Sequence, residues 1–325
     1  MTRGELAVGT SQADLALGLV GAGPWGSRYV ASLSGLEGVH LALVASRSPA
    51  ARERVPAGCE FTTDWRGAVS NGKLDGVVLA TPPAVHHDMV MACLASGLPV
   101  LVEKPLTLDG QAARALRDAA SRSGSLVMVD HTHVFSSAFE ALKARARRLE
   151  PPLRVRSIGG NRGPYRKDVN GLWDYGPHDV SMCLDLVGEE PVAVHGEVAS
   201  LAAGPDARGM AVEARLAFPG GARASLTFGN GLKEKRRVFE VQAANGALLY
   251  DDLAEAKLIE RDHRGRGQAV RISPVPPLTR AVLAFCDAIV SGRRQDPSLY
   301  LGVAVVETLE RIAASIPAAS CPAPR

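Results

Sequence analysis

From Leu15 to about Thr132 the chain alternates short apolar runs with helix-like segments, and this alternation constrains the fold more than any other feature. The apolar runs are LALGLV, VHLALVAS, LDGVVLAT, PVLVEKP and SLVMVDHT. Between them lie PAARERV, PAVHHDMVMACLASG and GQAARALRDAASRSG, whose spacing suits helices. Strands this short and this continuously apolar are buried on both faces, which is the mark of a parallel sheet with helices on either side. The expected class is therefore α/β, with a doubly wound first domain over residues 15–131 whose ligand lies at the carboxyl ends of the strands.

Directly after the first apolar run come Gly21, Gly23 and Gly26, in the spacing G-x-G-x-x-G, with Pro24 and Trp25 between the second and third glycines. Glycines at these positions let a pyrophosphate approach the N-terminus of the following helix without meeting a side chain. Proline is suited to the first helical turn, where its missing N–H is not needed. The role of the bulky Trp25 does not follow from the sequence. The second apolar run ends where a reader of the adenosine ribose is expected, about 20 residues beyond the glycines. No carboxylate stands there. The residues are Ser46, Arg47 and Ser48, which favour the 2′-phosphate of NADP(H), with NAD(H) as the alternative; read locally, Arg47 is equally a surface arginine.

Beyond residue 132 the pattern changes to longer alternating runs, ARLAFPGGARASLTFGNG, RRVFEVQAANGALLYDD and EAKLIERD, with hairpin signals at PGG and ANG. A second domain over 132–318 with a large open, mostly antiparallel sheet is expected, closed by apolar helical segments near the C-terminus. Residues 1–14 read as a loose extension and 319–325 as a frayed tail. A net charge of +3 on 325 residues gives no push towards nucleic acid, and no apolar run is long enough to span a membrane. The basic stretch from Lys143 to Lys167 reads as a solvated helix face. Five cysteines without metal or disulfide spacing fit a cytoplasmic protein. His86 with His87 and His131 with His133 lack the companions of a metal site, so none is expected.

Two stretches carry candidate chemistry. In VLVEKPLT, Glu103, Lys104 and Pro105 close a predicted parallel strand, where a lysine can enter the cofactor crevice or stand in solvent. In LWDYGPHDVS, Asp174 and His178 lie four residues apart. Asp174 is expected to cap a helix whose first turn holds Gly176 and Pro177, with Val180, Cys183, Leu184 and Val187 as its apolar stripe and Gly188 as its terminator. Read locally, His178 is an incidental neighbour of a cap. Tyr165, Arg166 and Lys167, just upstream, are candidates to touch substrate.

Taken together, these pieces resemble the Gfo/Idh/MocA family: GAGPWG at 21–26, ATPPAVHHDMVMACLASGLPVLVEKP at 80–105, GLWDYGPHDV at 171–180 and RRVFEVQAANGALLYDD at 236–252. The resemblance implies a Rossmann domain followed by an α/β domain whose open sheet builds a homodimer or homotetramer. It implies Lys104, Asp174 and His178 as the catalytic set, also touching substrate, and Gly21, Gly23, Gly26, Thr81, Pro82, His86, Glu103 and Lys104 around the cofactor. The activity implied is hydride transfer between a nicotinamide and a secondary alcohol or ketone of a sugar, cyclitol or nucleotide sugar. In that scheme His178, with an ordinary pKa near 6.5, takes the hydroxyl proton, Asp174 orients it and Lys104 steadies the alkoxide. Two other readings share the fold: a cofactor-binding sensor without turnover, and a reductase of a non-sugar substrate.

Overall fold

A computed structural model describes residues 14–203 and 208–317. Most of the expected N-terminal extension and the tail at 319–325 lie outside the described residues. The five apolar runs of the first half form β1 (Leu15–Val20), β2 (Val39–Ala45), β4 (Gly76–Leu79), β5 (Val100–Glu103) and β6 (Val127–Asp130) of a six-stranded parallel sheet, to which the short β3 (Glu60–Thr62), not expected from the sequence, adds by pairing with β2. Its order is β3-β2-β1-β4-β5-β6, so the direction of winding reverses between β1 and β4. The reversal opens a crevice at the carboxyl ends, immediately after the three glycines. Helices α1 (Pro24–Leu33), α2 (Trp65–Ser70), α3 (His86–Ala95) and α4 (Gly110–Ser123) connect these strands. The leucines and valines of β1, β4, β5 and β6 are buried because helices cover both faces.

After α5 (Ser137–Ala146), β7 (Arg154–Arg162) and α6 (Gly171–Val187), the chain completes an eight-stranded sheet. The remaining strands are β8 (Ala193–Ala203), β9 (Arg208–Ala217), β10 (Arg223–Gly229), β11 (Gly231–Ala243), β12 (Gly246–Asp251), β13 (Leu258–Asp262) and β14 (Gly267–Ala269). Its order is β14-β13-β12-β11-β7-β10-β9-β8, antiparallel throughout except for the pair β7 and β10. The PGG and ANG turns join β9 to β10 and β11 to β12 as antiparallel pairs. One face of this sheet packs on α6 and on α8 (Pro297–Ser315) through Phe228, Leu226, Leu309 and Ile312. On the other face Arg154, Arg156 and Ile158 of β7 stand exposed.

The closing helices do more than end the second half. α7 (Pro277–Val290) lays Leu278, Val282 and Phe285 in the core beneath α1 and β1 of the first sheet. α8 carries Val303 and Val306 in the first core and Val305, Leu309 and Ile312 in the second. Residues 277–315 therefore bind the two sheets together, where a strictly sequential division would give them to the second alone.

Candidate active site

The glycine turn shows three different reasons for glycine. Gly21 has φ +101°, and a Cβ there would lie 2.4 Å from the Ala80 carbonyl oxygen. A Cβ on Gly26 would lie 1.9 Å from the Gly21 carbonyl oxygen, so α1 could not pack on its own turn. Gly23 is different: nothing lies within 4 Å of where its Cβ would be. The first and third glycines are demanded by the fold, and the second leaves bare backbone facing open space at a helix N-terminus, as a pyrophosphate requires. Pro24 begins α1 as expected. The Arg28 guanidinium lies 4.4 Å above the half-buried Trp25 ring, a cation–π contact that gives the tryptophan a structural partner. Ser46 is half-buried, and Arg47 and Ser48 are exposed just beyond β2.

Two residues expected around the cofactor are turned inward. His86 is completely buried, with Nδ1 2.9 Å from the Pro105 carbonyl oxygen and Nε2 2.9 Å from that of Thr81. Both ring nitrogens thus face backbone carbonyls, to one of which the neutral ring favoured by burial donates, and His86 braces the two loops that follow β4 and β5. Thr81 and Pro82 themselves lie at the crevice, half-buried and exposed respectively. Glu103 is also buried: its Oε2 accepts from the Lys104 backbone N–H at 3.1 Å and its Oε1 from the Tyr29 hydroxyl at 3.0 Å. The same hydroxyl lies 2.5 Å from Asp130 Oδ2. Burial and the neighbouring Asp130 raise the Glu103 carboxyl to about 8, and burial raises Asp130 to about 6. Two carboxylates that share one buried hydroxyl cannot both remain charged without cost.

Lys104 sits beyond this acid pair, 8% exposed. Its Nζ donates to the Asp174 carbonyl oxygen at 2.7 Å and lies 3.5 Å from Asp174 Oδ1. The sequence expectation for this segment needs correction. α6 starts at Gly171, four residues earlier than expected, and its N-cap is Asn170, whose side chain accepts from the Trp173 N–H at 3.3 Å. Asp174 lies in the first turn, and Pro177 is inside the helix. A proline there removes the N–H that would reach the Trp173 carbonyl, ordinarily a cost of about 3 kcal/mol. Packing overrides the penalty, since a Cβ on the neighbouring Gly176 would lie 2.7 Å from Leu309 and 2.9 Å from Phe228. The rest of the helix follows expectation, with Gly188 closing it at φ 73°.

The partner of Asp174 is also corrected. Its carboxylate faces Lys104 and Arg166 Nη1, the latter at 3.4 Å, and the described contacts give it no bond to His178. Arg166 is held in turn by both oxygens of Asp168, at 2.9 and 2.5 Å, so its charge is already met within the protein. The Tyr165 ring packs on Gly209, where a Cβ would lie 2.3 Å from Cε1. Lys167 is exposed.

His178 is half-buried, with Nδ1 buried and unpartnered. Burial depresses its pKa well below the ordinary 6.5, and Lys104, His133, Arg237 and His131 add to the effect. It stands edge-on to His133, ring centroids 5.1 Å apart. Burial likewise lowers His131 to about 3 and His133 to about 4, Lys104 contributing to both. The site is therefore a cationic lysine beside imidazoles that stay neutral at physiological pH. Sequence reasoning missed Tyr29, Asp130, Arg237 and Tyr250, all of which reach the site only through tertiary contacts. Among the described residues, no three His, Cys, Asp or Glu side chains are grouped to hold a metal ion, and no helix is long and apolar enough to cross a membrane.

Comparison with known proteins agrees with this layout. Residues 15–131 match the model of an oxidoreductase family with an NAD-binding Rossmann fold, and 133–249 match the Gfo/Idh/MocA C-terminal domain. Inositol 2-dehydrogenase 4 of Saccharopolyspora erythraea is 32% identical over 193 residues, 57% of each chain. The chain thus aligns with little more than half the length of that curated relative. A crystal structure from Magnetospirillum magnetotacticum MS-1, described as a candidate oxidoreductase, superposes with a TM-score of 0.86 at 40% identity over 92% of this chain and 100% of that one. The UDP-N-acetylglucosamine 3-dehydrogenase of Acidithiobacillus ferrooxidans shares the fold, with a TM-score of 0.80 at 22% identity over 93% of this chain and 97% of that one. The chain belongs to the Gfo/Idh/MocA family of oxidoreductases.

Proposed function

We propose that this protein is a nicotinamide-dependent dehydrogenase or reductase that interconverts a secondary alcohol and a ketone on a sugar, cyclitol or nucleotide sugar. The observation that carries the reading is the meeting of Lys104, Asp174 and His178, drawn from the end of β5 and from α6, in a chain whose first sheet carries the open Gly23 backbone at the carboxyl end of its strands. Gly21, Gly23, Pro24 and Gly26 would hold the pyrophosphate, Trp25, Thr81 and Pro82 would border the bound dinucleotide, and Ser46, Arg47 and Ser48 would meet a ribose phosphate. NADP(H) is favoured over NAD(H) on the strength of that last cluster, which has an arginine and no carboxylate. When bound, the nicotinamide supplies the hydride chemistry.

The chain's own residues handle the proton and the charge. In the oxidising direction His178, neutral because of its surroundings, accepts the hydroxyl proton at its less buried nitrogen. Lys104 steadies the oxygen as negative charge develops on it. Asp174 holds Lys104 in place through its carbonyl and carboxylate oxygens, which replaces the role of orienting His178 given to it from sequence. Substrate enters as a small polyol, consistent with the inositol and nucleotide-sugar dehydrogenases among the relatives. The exposed Arg154, Arg156 and Ile158 on the uncovered sheet face favour assembly of a homodimer or homotetramer through that face. The test is a set of assays with myo-inositol, scyllo-inositol, free hexoses and UDP-N-acetylglucosamine, each with NADP⁺ and NAD⁺, following nicotinamide absorbance. Turnover with one polyol supports the reading, and inactivity towards all of them in both directions contradicts it.

A further inference from the structure

Behind His178 lies a chain of polar groups that the proposed reaction has not used. His133, on the short turn after β6, places Nδ1 3.3 Å from the Tyr250 hydroxyl. That hydroxyl donates to Asp252 Oδ1 at 3.2 Å. Tyr250 is 1% exposed, whereas Asp252 is half-buried and reaches solvent. His133, His178, Tyr250, Arg237 and Asp179 share the wall of a small cavity with room for about one water molecule. His178 Nδ1 is buried without a partner, and the His178 ring stands edge-on to that of His133, centroids 5.1 Å apart.

The donors and acceptors run in one direction. With its one proton given to Asp252, Tyr250 can bond His133 only as acceptor, as it also can Ser136, which would put the His133 proton on Nδ1 and leave Nε2 as an acceptor. We propose that His133, Tyr250 and Asp252 form a proton relay that carries the proton received by His178 out to solvent at Asp252. These residues act through His178 and are positioning residues for it. The inference rests on the role proposed for His178 above.

The balance is simple. In the oxidising direction, where a bound nicotinamide would supply the hydride acceptor, the substrate hydroxyl proton passes to His178 Nε2 and the Nδ1 proton of His178 departs towards His133 Nε2, directly or through one water. His133 Nδ1–H gives its proton to the Tyr250 oxygen, the Tyr250 proton moves to the Asp252 carboxylate, and Asp252 releases it to water. After product leaves, each ring regains its starting tautomer by exchange with solvent, so one proton has left per substrate oxidised. The need for such a route is electrostatic. Lys104 and Arg237 both oppose a positive charge on His178 and His133, while Asp252 favours one on His133. A proton is therefore unstable on His178, and once cofactor and substrate fill the crevice the carboxylate end of the chain is the open way out.

The test uses the full-length protein with ¹⁵N-labelled histidine rings, assigned with His133→Gln and His178→Gln. The relay predicts neutral His133 with its proton on Nδ1. It also predicts that Tyr250→Phe, which keeps the buried ring, and Asp252→Asn each shift the ring signals of His133 and, through it, of His178. A His133 proton on Nε2, or His178 signals indifferent to both variants, overturns the relay. NADPH titration of the same proteins separates the two failures. No binding by the unmodified protein removes the proposed function and the relay with it, whereas intact binding with the wrong tautomer removes the relay alone.

Discussion

The two sides of Lys104 are built from opposite chemistry and reach the same result. Towards α1 lie Glu103 and Asp130, carboxyls whose pKa values burial raises to about 8 and about 6. Towards the second sheet lie His131 and His133, imidazoles whose pKa values burial lowers to about 3 and about 4, and His178, also held neutral. Acids and bases alike are discouraged from carrying charge, and the lysine is the cation they surround. A site arranged this way concentrates its electrostatic effect at one ammonium group, where an alkoxide would form.

The comparison breaks most severely if Lys104 is removed. Lys104→Ala is expected to reduce kcat on the order of 10³-fold, and His178→Ala by about 10²-fold or more, with NADPH binding retained in both. Steady-state assays beside fluorescence titrations decide it, and near-normal turnover in either variant would refute its assigned role. The glycine turn offers the next largest effect. Gly26→Ala forces a Cβ to within 1.9 Å of a carbonyl oxygen and is expected to destabilise the fold by about 3 kcal/mol. Gly23→Ala adds a methyl into open space, so thermal unfolding should hold while cofactor affinity falls; the reverse pattern would contradict the division of labour among the glycines.

The opposed shifts also set a pH profile for stability. Glu103 rises from 4.5 to about 8 on folding and Asp130 from 3.8 to about 6, so their contributions are complete below about 4 and are lost as pH climbs towards 8. Asp179, raised by burial to about 7, adds to that alkaline loss. His131 and His133 fall from 6.5 to about 3 and about 4, so theirs are complete above 6.5 and are lost as pH drops through that interval. Each group acts with a slope of up to about 1.4 kcal/mol per pH unit. Calorimetry should show maximal Tm between about pH 4 and 6, where the opposed slopes nearly cancel, with Glu103→Gln flattening the alkaline limb and His133→Gln the acid one. The smallest expected effect is at the rim: Arg47→Ala should weaken NADPH about tenfold, or about 1.4 kcal/mol, with little change for NADH. Equal loss for both cofactors would return Arg47 to the surface.

What the sequence disclosed of this arrangement follows the range of the interactions. The glycine turn, five of the six short strands and the Gly188 terminator depend on neighbours a few residues away, and their spacing announces them, whereas the three-residue β3 has no apolar run and forms only by pairing with β2. The sequence places the cap of α6 at Asp174 because Pro177 suits a first turn, a local rule that the packing of Gly176 against Leu309 and Phe228 overrules from distant elements. Asn170, three residues before the N–H it caps, was the available signal. Tyr29 lies 101 residues from Asp130, and His133 lies 117 from Tyr250. No periodicity links such pairs, so neither the acid pair nor the histidine chain was visible before folding. His86 shows the converse: the resemblance implied a place beside the cofactor, and the structure turns both ring nitrogens inward towards backbone carbonyls.

The central claim, that the bare Gly23 backbone and the Ser46–Ser48 tip make a dinucleotide site feeding Lys104 and His178, is tested most directly by titrating the purified protein with NADPH and then NADH while following cofactor fluorescence. Saturable binding with NADPH preferred, abolished in a Gly23→Val variant whose Tm is unchanged, is the predicted result. No saturable binding of either cofactor by the unmodified protein would contradict the account at its base.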